Sequence, residues 1–193
     1  MAKAQPIKDL KNIEQMKQYF KDKKEWRNYA LFIMGLNTAL RISDLLILKW
    51  GDVYCFDKKC FKEHIIIIEK KTKKRNVIAL NDNIIRALEN YKDICLNNLM
   101  AEYYIFSHKN NQYKPIQRNR AYTIIREAAQ FNNLEGTICC HSLRKSFGYH
   151  AWRKGVPPAI IMDIYNHSSL EITKRYLSID QDERDEVFKN VLL

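Results

Sequence analysis

Three short runs of this 193-residue chain carry side chains suited to gripping an oxyanion and moving a proton. In Thr38-Ala39-Leu40-Arg41-Ile42-Ser43-Asp44-Leu45 an arginine closes an apolar stretch and an acid follows three residues later. A guanidinium presents a planar fork of donors that matches two oxygens of a phosphate. Read alone, the same pair is an ordinary helix-end salt bridge between Arg41 and Asp44. In His141-Ser142-Leu143-Arg144 the imidazole and the guanidinium share one face of an expected helix start. The free N–H groups and positive dipole end of a helix N-terminus favour a phosphate at such a corner, although polar helix starts are common without any ligand. In Asn166-His167-Ser168-Ser169, followed by Arg175-Tyr176, a phenol lies nine residues beyond an imidazole. A phenol is a nucleophile once its proton, with an ordinary pKa near ~10, has been removed. Nine residues of unbroken helix would part the two groups by roughly 13 Å, so the helix must end or the site must span it. One tyrosine among eleven is, by itself, most simply a packing residue.

The elements that must position these runs follow from hydrophobic periodicity. Residues 1–8 read as a short arm. A helix is expected from Asp9 to about Lys23, with Leu10, Ile13, Met16, Tyr19 and Phe20 on one face. A second runs from about Lys24 to Leu40 behind a stripe of Trp26, Tyr29, Ala30, Ile33, Leu36 and Leu40. Arg41 to Trp50 continues as a short helix after a bend. Val53–Phe56, His64–Glu69 and Asn76–Leu80 read as strands, the unbroken β-branched run Ile65–Ile68 most clearly. Between the last two, Lys70-Lys71-Thr72-Lys73-Lys74-Arg75 reads as a hairpin connection with five positive charges. Asn81 or Asp82 can cap a helix to about Leu99. Tyr104–Phe106 is a short extended piece and 107–117 a polar loop. Further helices are expected at 118–132, 142–154, 157–165, 168–176 and 180–191, with Ser168 and Glu171 as a capping box and Pro157-Pro158 at a helix start. No internal repeat or linker interrupts the chain. The expected fold is α+β and mainly α-helical, one domain over 1–193 with a small antiparallel three-stranded sheet.

Bulk composition narrows the function classes. Lys and Arg total 33 against 22 Asp and Glu, a net charge of +11 and a pI near 9.4. Nucleic acid is the commonest polyanion such a chain would meet; many solvated surface lysines are the bland alternative. The five cysteines, at 55, 60, 95, 139 and 140, follow no zinc-knuckle spacing, and an odd number at irregular intervals fits reduced thiols. No apolar run is long enough to span a bilayer and no signal peptide is evident, so a soluble cytoplasmic protein, with no membrane partner and no metal site, is expected.

Taken singly each run is weak, but their order and wording are not. Together they resemble the tyrosine recombinases, or phage-type integrases, whose pattern reads as an arginine in "GLRISEL", a lysine in a β-hairpin, H-x-x-R, "LGHSS", and a tyrosine nine residues after that histidine. This chain has Ala39-Leu40-Arg41-Ile42-Ser43-Asp44-Leu45, Lys71-Thr72, His141-Ser142-Leu143-Arg144, Asn166-His167-Ser168-Ser169 and Tyr176, in that order, and the resemblance spans about residue 7 to about residue 180. It departs in having Ala39 and Asn166 where the family usually has glycine, and Asp44 where it usually has glutamate. Asn tolerates left-handed backbone angles, so the turn at Asn166 can be kept. Lys70, Lys71, Lys73 and Lys74 all compete for the hairpin position; Lys71 is preferred because it precedes Thr72, as in the family's "K-T" variants. The chain resembles the short, stand-alone members, which include fimbrial phase-variation invertases. Larger members carry an N-terminal helical domain that clamps the other face of the DNA.

The resemblance implies the catalytic domain of a DNA breaking-rejoining enzyme, with Arg41, Lys71, His141, Arg144, His167 and the nucleophile Tyr176 as its catalytic set and Asp44 in support. It implies metal-free cleavage of double-stranded DNA through a 3′-phosphotyrosine, no cofactor, a tetramer on DNA, and in some systems an accessory DNA-bending protein. The segment 180–193 becomes a C-terminal helix for docking on a neighbour, or equally one packed on its own domain. Lys73, Lys74, Arg75, Arg118, Arg120, Lys145 and Arg153 are the candidate phosphate contacts outside the active site. Three other readings compete: a catalytically idle DNA-binding regulator that kept the fold, a type IB topoisomerase, whose family lacks the "HSS" wording, and a basic RNA-binding protein, which leaves the ordered motifs unexplained.

Overall fold

The computed structural model describes residues 4–95, 98–177 and 188–191, apart from the side chains of Cys95 and Arg175. Helix α1 (Leu10–Asp22) is capped by Asp9, whose carboxylate accepts from the Lys11 N–H at 2.8 Å, and it turns Ile13, Met16, Tyr19 and Phe20 inward. Helix α2 (Trp26–Asn37) is buried without a break from Ala30 to Gly35. That stretch can be apolar on every face because α1, α5 (Asp82–Cys95) and α7 (Cys140–Arg153) all pack on the helix. Gly35 permits the close approach of α7, since a Cβ there would stand 2.6 Å from Leu143 Cδ1.

Helix α2 stops at Asn37, short of the expected Leu40. The Thr38 hydroxyl turns back to the Met34 carbonyl at 2.8 Å, and Ala39 adopts a left-handed φ of 55°. Beyond it, Arg41–Trp50 is not one helix but two single turns, α3 (Ile42–Leu45) and α4 (Trp50–Val53), parted where Lys49 bridges to Tyr104.

The expected three-stranded sheet is not formed. Among the described residues there are instead three separate antiparallel ribbons. Strand β1 (Tyr54–Cys55) pairs with β2 (Cys60–Phe61), and β3 (His64–Ile68) with β4 (Arg75–Ala79). The third ribbon, β5 (Ser107–His108) with β6 (Asn111–Pro115), occupies the stretch expected to be a loop. Helix α4 takes up Val53, so only two extended residues remain before the chain folds back onto Cys60–Phe61. In β3 the side chains alternate, Ile65 and Ile67 buried, Ile66 and Ile68 exposed. The same alternation carries Glu69 inward, to complete burial.

Asn81 caps α5 by accepting from the Ile84 N–H at 3.0 Å. Helix α6 (Arg118–Phe131) matches expectation. Helix α7 begins two residues early, at Cys140, which puts His141 inside its first turn. Helix α8 (Pro158–Ile164) starts on a proline as expected. Helix α9 (Leu170–Leu177) is capped by Ser169, whose hydroxyl accepts from the Ile172 N–H at 3.3 Å, rather than by the expected Ser168–Glu171 box. The described part of the N-terminal arm is docked at Ile7, whose N–H donates to Ser146 Oγ at 2.7 Å and whose carbonyl meets His150 Nε2 at 2.9 Å. Residues 180–187 and 192–193, most of the expected C-terminal docking helix, lie outside the described residues.

Among the described residues, two apolar clusters result. The larger runs from Ile7 through α1, α2, α5 and α6 to Leu143. The smaller joins Ala39 to Ile161, Tyr165 and Leu177, with Phe147, Trp152 and Tyr176 packed against it. Both Ala39 and α7 stand at the boundary between the clusters, and the chemically interesting side chains gather there.

Candidate active site

A cleft of about 810 Å³ is lined by Arg41, Lys70, Lys71, Thr72, Arg118, Cys140, His141, Arg144, Asn166, His167 and Tyr176, among others. All six residues singled out as a catalytic set therefore share one cavity, although they come from the α2–α3 turn, the β3–β4 hairpin, the first turns of α7, the α8–α9 turn and the end of α9.

Arg144 forms the floor. It is 3% exposed, and its guanidinium donates to the carbonyls of Ala39 and, at 3.1 Å, Tyr165. Ala39 has φ 55°, and the residue after Tyr165, Asn166, has φ 54°. These are the two positions where the sequence departs from the family's glycine. The left-handed backbone is kept at both, and each of these turns offers a carbonyl to Arg144. The Tyr165 hydroxyl donates in return to the Arg144 carbonyl at 2.6 Å, and the guanidinium carbon lies 4.6 Å from that ring's centroid.

Arg41 is held differently from the ion pair its sequence suggests. Its Nη1 lies 2.5 Å from Oε2 of Glu69, not against Asp44. Asp44 is fully buried and instead accepts from the Lys70 N–H at 3.0 Å, fixing the base of the hairpin; its other oxygen has no partner among the described residues. Glu69 also accepts from Thr72 Oγ1 at 2.8 Å, Asn76 Nδ2 at 3.2 Å and Asn166 Nδ2 at 3.4 Å. Burial pushes its carboxyl up, but these hydrogen bonds and the Arg41 charge prevail and hold it below the ordinary range.

Tyr176 stands among imidazoles. Its hydroxyl is 3.5 Å from His141 Nδ1, with the two rings edge-on at 5.1 Å between centroids. The His167 ring is 5.0 Å away. The separation expected of a nine-residue helical spacing disappears because His167 lies back along α9. Its Nδ1 meets Thr173 Oγ1 at 3.0 Å, and Thr173 shares a helix face with Tyr176. Burial, followed by the charges of Arg144 and Arg41, depresses His167 to about 4. His141 is lowered by burial and then by Lys145, Arg144 and Arg41. Both imidazoles are thus neutral at pH 7. Burial raises the Tyr176 phenol, against the opposing pull of Arg144 and Arg41. The Cys140 thiol beside them is pushed up to about 12 by burial and is no thiolate.

The other candidate phosphate contacts fall in different places. Lys73, Lys74 and Arg75 are exposed around the hairpin, and Arg118 lines the cleft. Arg120 opens into a separate cleft of about 470 Å³ beside Lys24, Arg27 and Lys109. Arg153 lines a third, between α1 and α7. Lys145 does not belong among surface contacts: it is 2% exposed, with Nζ 5.4 Å from the centroid of the Tyr176 ring. The helix that carries Arg144 into the cleft also turns the next residue inward. Sequence reasoning missed Glu69, Thr173 and Tyr165 as supports. Glu69 had a signal, since it extends the buried side of a strand whose other members are isoleucines. Among the described residues, no three His, Cys, Asp or Glu side chains are grouped to hold a metal ion, and no helix is long and apolar enough to cross a membrane.

A mainly helical α+β domain with Arg41, Arg144, His141, His167 and Tyr176 in one cleft defines a class, and comparison with known proteins gives it a family. Residues 8–183 match the model of the phage integrase family. The chain is 41% identical over 186 residues to a probable integrase/recombinase, YoeC, of Bacillus subtilis strain 168, covering 96% of this chain and 95% of that one. It is 29% identical to a tyrosine recombinase of Pseudothermotoga lettingae, over 86% of this chain but 54% of the relative. Among solved structures, the XerA recombinase superposes with a TM-score of 0.73 at 18% identity, over 97% of this chain and 64% of its own. XerH bound to palindromic difH substrate superposes at 0.70 and 19%, over 92% and 50%. The chain thus spans nearly all of the Bacillus relative and about half to two thirds of these others. It belongs to the phage integrase family, the tyrosine-type site-specific recombinases.

Proposed function

We propose that this chain cuts and rejoins double-stranded DNA through a phosphodiester link to Tyr176. The observation that carries the reading is the approach of the Tyr176 hydroxyl to within 3.5 Å of His141 Nδ1 in a cleft lined by Arg41 and Arg144. The two guanidiniums hold the non-bridging oxygens and stabilise the charge that grows on them in the transition state. The Tyr176 oxygen attacks phosphorus, and His141 takes the phenolic proton. The bond from phosphorus to the 5′ oxygen breaks, and Lys71 gives that oxygen a proton. His167 hydrogen-bonds the phosphate and orients it. The products are a 3′-phosphotyrosine and a 5′ hydroxyl. Reversing the step with another 5′ hydroxyl reseals the strand. Phosphodiester is exchanged for phosphodiester, so neither ATP nor a metal is needed.

Residues 1–193 act in this reading as one catalytic domain in the cytoplasm, working as a tetramer on two duplexes, with 180–193 as the docking segment and an accessory DNA-bending protein where the site requires it. Lys73, Lys74, Arg75 and Arg118 supply phosphate contacts, and binding weakens steeply with salt.

Covalent trapping tests the core of this. The protein is incubated without metal on nicked duplexes from the DNA flanking its gene, with the Tyr176→Phe variant in parallel, and run on a denaturing gel. The expected result is a slow-migrating adduct with the wild type alone. Salt-sensitive binding with no adduct on any flanking site would favour the idle DNA-binding regulator.

A further inference from the structure

We propose that Glu69 is a positioning residue of the strand-transfer reaction, a buried carboxylate that holds Arg41 in its cleft-facing arrangement. The inference rests on the role given to Arg41 above.

Glu69 is fully buried, whereas its ion-pair partner Arg41 retains about a fifth of its side-chain surface and lines the cleft. A buried acid whose charge is directed to one guanidinium fixes the direction of that guanidinium, because leaving the pair would strand the carboxylate in a dry site. The same two oxygens gather the rest of the cleft. Oε2 takes Arg41 together with Thr72, in the turn that follows Lys70 and Lys71. Oε1 takes Asn76 on β4 and Asn166, next to His167. The Glu69 backbone closes the turn, its N–H donating to the Lys74 carbonyl at 3.0 Å and its carbonyl accepting from the Lys73 N–H at 2.9 Å. Lys73 has a left-handed φ of 59°, so the turn is specific in shape. Three elements that contribute proposed catalytic groups therefore meet at one side chain. All four side-chain partners donate, and a carboxylate can accept from all of them. An amide cannot: Glu69→Gln turns one acceptor into a donor facing donors.

The experiment compares single-turnover cleavage of a nicked duplex by wild type, Glu69→Gln, Arg41→Ala, the double variant and Tyr176→Phe. Each is assayed on an ordinary scissile phosphodiester and on one carrying a neutral methylphosphonate. Glu69→Gln is expected to slow cleavage of the phosphodiester roughly 100-fold, the scale of a small misplacement of a catalytic group. DNA affinity should stay within about threefold, since the phosphate contacts on the surface remain. The double variant should be no slower than Arg41→Ala. On the methylphosphonate, which has no anionic charge for Arg41 to neutralise, the loss should shrink to less than tenfold. A merely structural role would slow both substrates alike and add to the Arg41→Ala effect, and that outcome overturns the proposal, as does a Glu69→Gln rate within twofold of wild type. If Glu69→Gln fails to fold, Thr72→Val at the half-exposed turn replaces it: slower cleavage with Thr72→Ser restoring the rate supports the proposal, and no change overturns it. An adduct that survives Tyr176→Phe would instead refute the reaction itself, independently of Glu69.

Discussion

The Tyr176 hydroxyl and His141 Nδ1 lie 3.5 Å apart, at the long edge of a hydrogen bond, with their rings 87° from coplanar. A phenol whose pKa burial has raised faces an imidazole whose pKa burial and three cations have lowered. Both shifts favour a proton on tyrosine and a neutral imidazole beside it. In the proposed mechanism cleavage requires His141 to be unprotonated. The rate should fall as pH drops through the His141 pKa, which lies below 6.5, and stay level above it to at least pH 8. His141→Ala should cost about 10²–10⁴-fold and flatten the acid limb. Single-turnover rates across pH 5–8 check this; an acid limb that survives in the variant would point to another base.

The histidines also link stability to pH. His167 titrates at about 4 in the folded protein against 6.5 in an unfolded chain, and His141 is lowered in the same sense. The unfolded state therefore binds more protons between these values, and stability rises with pH there. Their contribution is complete above pH 6.5 and is lost as pH falls toward 4. Thermal unfolding at pH 7.5 and pH 5 should show the drop, and His167→Gln should reduce it. An equal drop in that variant would assign the effect to other groups.

Lys70 and Lys71 both line the cleft, and a leaving group with a lower pKa separates them. A 5′-bridging sulfur leaves as a thiolate and needs no general acid. Lys71→Ala should lose at least about 100-fold on the ordinary substrate and recover most of it on the thio substrate, while Lys70→Ala should show no such recovery. Recovery by Lys70→Ala alone would transfer the role to that residue.

Gly148 carries the packing of α7 on the second cluster. A Cβ there would collide with the Tyr165 ring and stand 2.6 Å from Leu177. The Tyr165 ring cannot retreat without withdrawing the hydroxyl that donates to the Arg144 carbonyl. Gly148→Ala should destabilise by about 1–3 kcal/mol, read by denaturant unfolding, and slow cleavage although it touches no substrate. Ala39→Gly should do the opposite for stability, relieving a left-handed alanine by up to about 1 kcal/mol. A stable, fully active Gly148→Ala variant would show that α9 can shift without cost to the site.

Much of this was legible in the sequence because the relevant physics is local. Helical periodicity marked α1, α2 and α6 to within a few residues, and the order of Arg41, Lys71-Thr72, His141, Arg144, His167 and Tyr176 carried the family. A buried position just past β3 could be read for Glu69 from strand alternation. What the sequence left open depends on contacts between distant segments. Whether Arg41 would pair with Asp44, three residues away, or with Glu69, twenty-eight away, is decided by how the hairpin packs on the α2–α3 turn. That Lys145 is buried beneath Tyr176 follows from the docking of α9 on α7. The first of the three expected strands did not join the other two: a helical turn at Trp50–Val53 takes up Val53, and Tyr54–Cys55 pairs with Cys60–Phe61 instead. The nine-residue gap from His167 to Tyr176 closes only because the turn before α9 lies back along the helix, against Thr173. Sequence determined which chemical groups exist and in what order. Tertiary packing decided which of them face one another, because burial, pairing and pKa are properties of the surroundings a side chain acquires and not of the side chain alone.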